Sequence, residues 1–386
     1  MTISRACYCN RYQAQRSVDF VPGTDINDAL DRALTDAADN IDGQLKRVFF
    51  PSDDTRYFDW PNQGGSGGGQ YAQPWRLYLD DNDCVCLTAL VTGGVTITLD
   101  QVFLEPVNNP QKGKPFYTYL ELDRSANASF GGNAQTPQHS IVPTGTWGYG
   151  ADADAAGALA ADVVSDATTI TTTDSSKAGP GDLIILGYGR GSAPYPSALG
   201  HAGAIAPYLG ERILITDVAA VATGLTQSGG GVTTANAADQ ALTWTGTGSL
   251  NAGEVITLDT EDMLVEAVTG TAAVVRRAFN GTTLTAHSGA GIYALRQYSV
   301  DRAQLGTTAS SYSSGAAISR HRVPPLIRDL AIAEAENQIL QEGSGYARTV
   351  GTGENAHPAP GIALADKWEE ARTRHGRSRK ARHRGV

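Results

Sequence analysis

This sequence contains the stretch GDLIIL at residues 181–186 and the stretch GEVITL at residues 253–258. Each is a glycine and an acid followed by an apolar run, which is typical of a short buried strand. A second pair follows, ERILITDV at 211–218 and EDMLVEAV at 261–268, with glutamate, leucine and valine at matching positions. The recurrence in fixed order predicts two related β units that form a sandwich or a small barrel, and the first unit carries an insertion at about 187–210.

A second region of short strands lies on the N-terminal side of this repeat. Apolar and aromatic runs predict strands at 75–79, 85–91, 95–99, 102–104, 117–122 and 140–147. The segments between them are rich in Asp, Asn, Gly and Pro, at 80–83, 92–94, 108–110 and 131–133. Such residues are typical of turns. We therefore expect a small, mostly antiparallel β domain here.

Two amphipathic helices are predicted outside all of these β segments. The first spans residues 24–48 and has one apolar stripe, made of Ile26, Leu30, Leu34, Ala37, Ile41, Leu45 and Val48. The second follows Pro324 and Pro325 and ends before Gly343, as expected for a helix with proline in its first turn and glycine after its last. The simplest arrangement packs the two helices against each other.

The expected fold class is α+β. It consists of a helical hub of N- and C-terminal helices, a small antiparallel β domain, and a larger inserted all-β domain that is a sandwich or barrel of two related units. The expected boundaries are an N-terminal arm at 1–23, a core of helix and small β domain at 24–150, the inserted Thr- and Gly-rich β domain at 151–300, the C-terminal helix of the core at 301–342, and a linker, short helix and basic tail at 343–386.

The bulk composition indicates a β-rich protein that does not enter a membrane. The chain of 386 residues has 18% charged residues and 44 glycines, which is typical of many short strands and turns. No apolar run reaches the roughly 18 residues that span a bilayer. The N-terminus also lacks the basic and apolar segments of a signal peptide. We expect a soluble protein that is made in a cytoplasm.

No catalytic constellation stands out in the sequence. The glycine-rich loop at 63–69 is not followed by the Gly-Lys-Ser/Thr of a phosphate-binding loop. His139 and His287 lie in turn-like settings that favour exposed positions. The acidic turn at 80–83 has clustered oxygens but lacks the spacing of a calcium loop, which favours a hairpin turn over a cation site. We expect no enzyme activity, no catalytic residue and no cofactor.

The four cysteines form two Cys-x-Cys pairs, Cys7 with Cys9 and Cys84 with Cys86. Zinc sites usually place two to four residues between the cysteines of a pair. The second pair also lies in an apolar run, where thiols on one face of a strand pack as small hydrophobic side chains. We therefore expect reduced structural cysteines and no metal site.

Charge is distributed unevenly along the chain. Residues 372–386 contain seven Lys and Arg and no acid, which leaves 23 basic against 40 acidic residues in the rest. A block of like charge is either a solvated tail or a segment that orders on nucleic-acid phosphate or an acidic protein groove. An upstream tryptophan is a candidate anchor, because Trp and Arg dominate interface energies. The candidate partner-binding residues are Trp368, Arg372, Arg374, Arg377, Arg379, Lys380, Arg382 and Arg384.

Several motifs, taken in order, resemble the head-to-tail adaptors of actinobacterial siphophages. They are RVFFP at 47–51, TRYFDWP at 55–61, WRLYLD at 75–80, FLEPVN at 103–108, PFY at 115–117, FGG at 130–132 and TGTWGY at 144–149. In that family a helix that opens with proline soon follows the Trp-Gly-Tyr segment, and here the matching helix begins at Pro324. The resemblance covers about 24–150 and 323–341, and the inserted β region departs from it.

The resemblance implies a structural role in a virion. Adaptors of this family form a ring, commonly of twelve subunits, beneath the portal protein. The ring extends the DNA channel and carries the next neck protein, a stopper or tail terminator. It implies a location at the virion neck, assembly in the bacterial host cytoplasm, passage of DNA without sequence-specific binding, and portal docking through residues 368–384. The alternative is a minor tail or baseplate protein with a receptor- or glycan-binding β domain.

Overall fold

The computed structural model describes residues 3–17, 27–60, 75–80, 82–108, 116–131, 136–150, 152–187, 201–204, 210–343, 349–350, 357–358 and 362–377. Within these residues most of the regular structure is β-strand, with four α-helices beside it. The expected helical hub with a small β domain is therefore wrong, because the protein is mostly β and contains a closed six-stranded barrel. The helices lie beside the β structure and do not organise it.

The first seven strands form two small sheets that share one core. The strands are β1 Ser52–Thr55, β2 Arg76–Tyr78, β3 Cys84–Thr92, β4 Val95–Ile97, β5 Val102–Glu105, β6 Tyr119–Leu122 and β7 Ile141–Trp147. One sheet has the order β1-β7-β3-β4 and the other the order β2-β6-β5. Leu77, Leu90, Leu120 and Trp147 are among the buried side chains between them. The six strands predicted between residues 75 and 147 are all present, with small shifts at their ends.

Ten further strands form a single large sheet. They are β8 Ala153–Ala158, β9 Thr169–Thr171, β10 Leu183–Leu186, β11 Glu211–Gly229, β12 Ala241–Gly246, β13 Val255–Leu258, β14 Glu261–Thr269, β15 Ala272–Phe279, β16 Gly291–Asp301 and β17 Ala317–His321. Two short strands, β18 Thr349–Val350 and β19 His357–Pro358, pair separately.

Six of these strands close into a barrel. Hydrogen bonding runs β11-β12-β15-β14-β13-β16 and returns from β16 to β11. Side chains that point inward, among them Leu242, Ile256, Val265 and Ile292, fill the interior. This filling is expected of a barrel with so few strands. We call this closed barrel the second β unit.

The remaining strands form a first β unit with the same strand order. It runs β8-β9-β16-β11-β10-β17 and back to β8, using the N-terminal half of β11 and the C-terminal half of β16. A bridge between Leu159 and Thr172 joins the ends of β8 and β9. Its own core contains Ile184, Ile213 and Tyr298. The second β unit is thus inserted between the fourth and fifth strands of the first.

The two β units share their strand register. In the hairpin β10–β11 Leu183 lies opposite Leu214, and in the hairpin β13–β14 Val255 lies opposite Leu264. A β-bulge follows at the matching place, in the pairing of β11 with β16 and in that of β14 with β15. The repeat in the sequence therefore corresponds to two copies of one barrel.

The copies differ at the turn of this hairpin. In the second copy Asp259 and Thr260 connect the strands directly. In the first copy the connection spans 187–210, of which 187, 201–204 and 210 are described. His201 forms a bridge with Phe103, and Ala202 packs into the core of the first seven strands. The insertion therefore attaches the first β unit to the N-terminal sheets.

The helices form one layer on the side of the β structure. They are α1 Arg11–Ser17, α2 Asn27–Leu45, α3 Pro325–Gly343 and α4 Ile362–His375. α2 and α3 are antiparallel, since Arg32 pairs with Glu342 at 2.8 Å and Asn40 donates to Glu334 at 2.6 Å. Packing of the two predicted helices is thus present. Their apolar stripes are covered by a shared core that includes Leu183 and Leu214 of the first β unit.

The N-terminal arm, residues 3–17, touches both β units. The N–H of Cys7 donates to the carbonyl of Gly181 at 2.9 Å, and Nη2 of Arg16 donates to the carbonyl of Gly253 at 3.1 Å. These two glycines occupy equivalent places before β10 and β13. The arm therefore contacts the same feature of each copy, although the sequence did not predict the helix α1 within it.

Candidate functional site

The last described residues of the chain lie in a cluster of polar side chains centred on Asp83. This side chain is 4% exposed. Nε of Arg47 lies 2.7 Å from its Oδ2, and Nη2 of Arg377 lies 2.9 Å from the same oxygen. Two guanidinium groups offset the cost of burying the carboxylate. We call this site the tail junction, and its residues are Arg47, Asp83, Phe116, Tyr149, His375 and Arg377.

Aromatic rings line the other side of the tail junction. The guanidinium carbon of Arg47 lies 4.6 Å from the ring centre of Phe116 and 5.3 Å from that of Tyr149. Cation–π attraction operates at these distances. The Tyr149 hydroxyl is 2.9 Å from Nδ1 of His375, and Arg47 donates to the His375 carbonyl. The end of α4 is therefore held by polar and ring contacts together.

The charge of the tail junction comes from one carboxylate and two arginines. Burial lowers the pKa of His375, and the nearby Arg47 and Arg374 lower it further. Burial also raises the pKa of Tyr149. Both of these groups are therefore neutral near neutral pH, and the site is cationic by one charge.

Two motifs that carry the family resemblance meet at this site. Residues 47–51 follow α2, and residues 144–149 include the end of β7. Gly148 has φ +138°, and a Cβ built there would lie 2.4 Å from the carbonyl oxygen of Phe50. Glycine is required here, because the two motifs approach each other too closely for a side chain.

The predicted anchor Trp368 is packed within its own chain. It is 7% exposed, and its indole Nε1 donates to Oε2 of Glu334 at 3.1 Å. Arg372 is exposed, lies over the Trp368 ring at 5.6 Å, and donates to Gln44. In this conformation the tryptophan is therefore part of the helical core.

The other predicted docking residues divide into two groups. Arg374 pairs with Glu370 at 2.7 Å on α4, and Arg377 belongs to the tail junction. Arg379, Lys380, Arg382 and Arg384 lie outside the described residues. A docking role for the segment 368–384 stays a prediction.

Sequence reasoning missed Arg47, Asp83, Tyr149 and His375 as members of one site. The acidic turn at 80–83 is a turn, with the N–H of Asn82 donating to the Leu79 carbonyl at 2.9 Å. The expected hairpin is wrong, because the turn joins β2 to β3 and these strands belong to different sheets. The only feature of the sequence that could have indicated this site was charge, because an acidic turn and a basic tail attract each other.

Buried charge in the second β unit centres on Glu261. Its carboxylate accepts two hydrogen bonds from Arg277, both at 2.8 Å, and two more from the N–H groups of Ala278 and Thr285 at 2.8 and 3.0 Å. Burial alone would raise the pKa of Glu261, but the arginine and the N–H donors lower it to about 2. The carboxylate stays ionised and holds the loop after β15 in place. We call this arrangement, a buried glutamate that accepts hydrogen bonds from one arginine and two backbone N–H groups, a clamp.

The same clamp occurs in the first β unit. Glu211 accepts hydrogen bonds from the guanidinium of Arg302 and from the N–H groups of Ala303 and Ser310. Ala303 has φ +55°, and its counterpart Ala278 has φ +52°. A buried Glu–Arg pair that recurs with its strained alanine is a structural device of the barrel, so these groups give no support to a catalytic role.

His287 is buried, so its expected exposure is wrong. Its ring lies between Asp259 and Glu261, with nitrogen–oxygen distances of 2.8 and 3.0 Å. These contacts compensate for the loss of water around the imidazole. The expectation for His139 is confirmed, since that residue is exposed.

All four cysteines are buried and none is in a disulfide. Burial raises the pKa of the Cys7 thiol to about 12 and raises that of Cys9 and Cys84 as well. Such thiols are poor nucleophiles. In the described part of the chain, no group of three or more His, Cys, Asp or Glu is placed to hold a metal ion.

Comparisons with known proteins add no relatives. No protein-family model, no curated protein and no solved structure matches this chain. Among the described helices, none has the length and apolar character needed to cross a bilayer.

Proposed function

We propose that this chain is a structural protein of a bacteriophage virion, a head-to-tail adaptor. It forms a ring, commonly a dodecamer in the family it resembles, beneath the portal protein at the virion neck. The ring joins the capsid to the next neck protein, a stopper or tail terminator, and DNA passes through it without sequence-specific contacts. The proposal includes no enzyme activity, no cofactor and no membrane contact.

The observation that carries this proposal is the position of the tail junction. Residues 47–51 and 144–149, which carry the resemblance, pack together where α4 ends and the basic segment begins. An adaptor needs a fixed point from which the rest of its chain reaches a partner. The tail junction has that form, because Arg377 is fixed on Asp83 and the cationic residues follow it.

Charge supports the proposal independently. The chain outside residues 372–386 has 23 basic and 40 acidic residues, so it repels DNA phosphate and favours passage without binding. The basic segment has the opposite sign, and its cations fit an acidic groove of a partner protein.

Co-expression with the portal protein of the same phage tests this proposal. We expect a complex by native mass spectrometry, and we expect Arg379→Gln, Lys380→Gln, Arg382→Gln and Arg384→Gln together to weaken it at least about tenfold. A matched control replaces four exposed arginines elsewhere with glutamine, namely Arg32, Arg276, Arg322 and Arg328. A wild-type chain that does not bind the portal protein would rule the proposal out.

One observation favours the alternative, a minor tail or baseplate protein that binds a receptor or glycan. The second β unit exposes Val274 and Tyr293 on its outer surface, at 43% and 46%. Exposed aromatic side chains are frequent anchors in recognition sites. Binding of the chain to host envelope material, lost in Tyr293→Ala, would support this alternative.

A further inference from the structure

The sheet β2-β6-β5 has a polar and aromatic outer face. Its buried face carries Leu77, Leu104 and Leu120. Because side chains alternate along a strand, the neighbouring residues point outward. The strand register places them in two rows, Arg76, Glu121 and Phe103 in one and Tyr78, Tyr119 and Glu105 in the other. We call these six residues the aromatic face.

The aromatic face already holds one guanidinium group. The Arg76 guanidinium lies 4.9 Å from the ring centre of Tyr119, and its Nη2 lies 2.7 Å from Oε2 of Glu121. The Tyr78 ring lies 5.4 Å from that of Tyr119 and is 54% exposed. An aromatic ring beside a carboxylate is a favourable setting for arginine, and Tyr78 offers a further ring of this kind.

The second row ends at a carboxylate. Glu105 accepts the N–H of Val107 at 2.7 Å and takes part in no ion pair among the described residues. In the described structure β2 is the end strand of its sheet, so its outer edge presents backbone groups to a further extended segment. The face therefore offers rings, a carboxylate and a strand edge together.

The basic segment begins next to this face. Nη1 of Arg377 donates to the carbonyl of Asp80 at 3.3 Å, and Asp80 follows Tyr78 by two positions. Residues 378–386 carry four Lys and Arg and no acid. Nine extended residues reach up to about 30 Å, whereas neighbouring strands are about 5 Å apart. The whole face is within reach of the segment.

We infer that residues 378–386 dock on the aromatic face of their own chain, with cations against the rings of Tyr78 and Tyr119 and the carboxylate of Glu105. The occupant follows from where the segment starts, from its length and from its charge. The docking stands without the proposed function. Its consequence, a tail held in cis until the portal protein competes for it, rests on that function.

Photo-cross-linking of the full chain tests this inference. Val386→Cys is labelled with benzophenone maleimide, because the four native thiols are buried and only the new one is accessible. After irradiation at low salt, mass spectrometry locates the cross-links. We expect them within one chain, at residues 75–80, 103–105 and 117–122. Salt near 1 M should remove most of them, since it screens exposed charges.

Substitutions in the aromatic face provide the control. Tyr78→Ala with Tyr119→Ala should abolish most of the cross-linked product, whereas Tyr57→Ala, at an exposed tyrosine elsewhere, should not change it. Cross-links on the helices, between two chains, or unchanged in the double variant would overturn the inference. Portal binding is measured separately, so a failure of the proposed function leaves this result interpretable.

Discussion

His321 shows how one buried side chain couples stability to pH. It ends β17, its ring lies 5.3 Å from that of Phe50, and its Nε2 donates to the Phe49 carbonyl at 2.9 Å. Burial lowers its pKa from 6.5 to about 4. The folded chain therefore keeps this imidazole neutral at a pH where the unfolded chain protonates it.

We predict that the free energy of unfolding falls as pH is lowered from 6.5 towards 4. In this window the unfolded state binds the extra proton, which costs the folded state up to about 1.4 kcal/mol per pH unit. His321→Gln keeps an N–H donor and does not titrate. Urea unfolding at about pH 7 and about pH 5 should show a loss roughly 2 kcal/mol smaller in this variant. The exposed His139→Gln should behave like wild type, and an equal loss in all three would contradict the assignment.

The duplicated clamps predict equal effects at two distant residues. Glu211→Gln and Glu261→Gln each leave a buried arginine without its anionic partner, and we expect each to destabilise by about 3 kcal/mol or more. The control is Glu266→Gln, whose pair with Arg276 is well exposed and should contribute less than about 1 kcal/mol. Denaturant unfolding measures all three. If Glu261→Gln lowers the free energy of unfolding and Glu211→Gln does not, the two copies are not energetically equivalent.

The sequence located the charged segments of the site, but it did not predict which charged residues pair with each other. It identified the acidic turn at 80–83 and the basic segment from Arg372, and each has the charge expected of it. It could not show that Asp83 pairs with Arg47, which lies 36 residues away, or with Arg377, which lies near the other end of the chain. Local patterns carry no information about such pairs.

At the scale of elements, Trp368 is the largest buried side chain of α4. Trp368 and Ala371 are its buried contacts with α2 and α3. We predict that Trp368→Ala destabilises the chain by about 3–5 kcal/mol and frees α4, so that limited proteolysis cleaves between α3 and α4 faster. Arg374→Ala, on the exposed side of α4, should leave the cleavage rate unchanged. An unchanged rate in Trp368→Ala would show that the tail junction alone holds α4.

Elements with a strong local pattern were predicted well. Of the short strands between residues 75 and 147, β5, β6 and the first part of β7 alternate buried and partly buried side chains. The stripe of α2 has helical spacing. The helix α1 was missed because seven residues give too little periodicity. β11 is predicted only as a short strand, although it runs from Glu211 to Gly229 through both β units. Its second half is mostly exposed, and its buried positions include the polar Gln227 beside Leu225, so it has no clear apolar pattern.

At the scale of the whole molecule, the nested copies predict a deletion that preserves the first β unit. Val218 pairs with Tyr298 in the first copy, as Val268 pairs with Ala273 in the second. Replacing residues 219–297 with the turn Thr269–Ala272 should therefore close β11 onto β16 as a hairpin. We expect a cooperative thermal transition and retained β signal by circular dichroism. A chain without cooperative unfolding would mean that the first copy depends on the second.

The error in the predicted architecture has a physical source. Two amphipathic helices at opposite ends of the β segments suggested a hub, because each stripe needs a partner. The stripes do meet, but β10 and β11 and the N-terminal arm complete their core, through Leu183, Leu214 and Tyr8 among others. The sequence repeat was the better guide to the molecule. The sequence alone could not show that the repeat forms two copies of one barrel. The strands of the first copy pair across the inserted second copy, and no local pattern reveals such pairs.

The most direct test of the adaptor proposal is cryo-electron microscopy of the neck of the intact virion. The proposal predicts a ring of this chain directly beneath the portal, with residues beyond Arg377 in contact with portal subunits. Density for this chain at the tail tip, or its absence from the neck, would contradict the proposal. Either result would favour the alternative, in which the exposed surface of the second β unit binds a receptor or glycan.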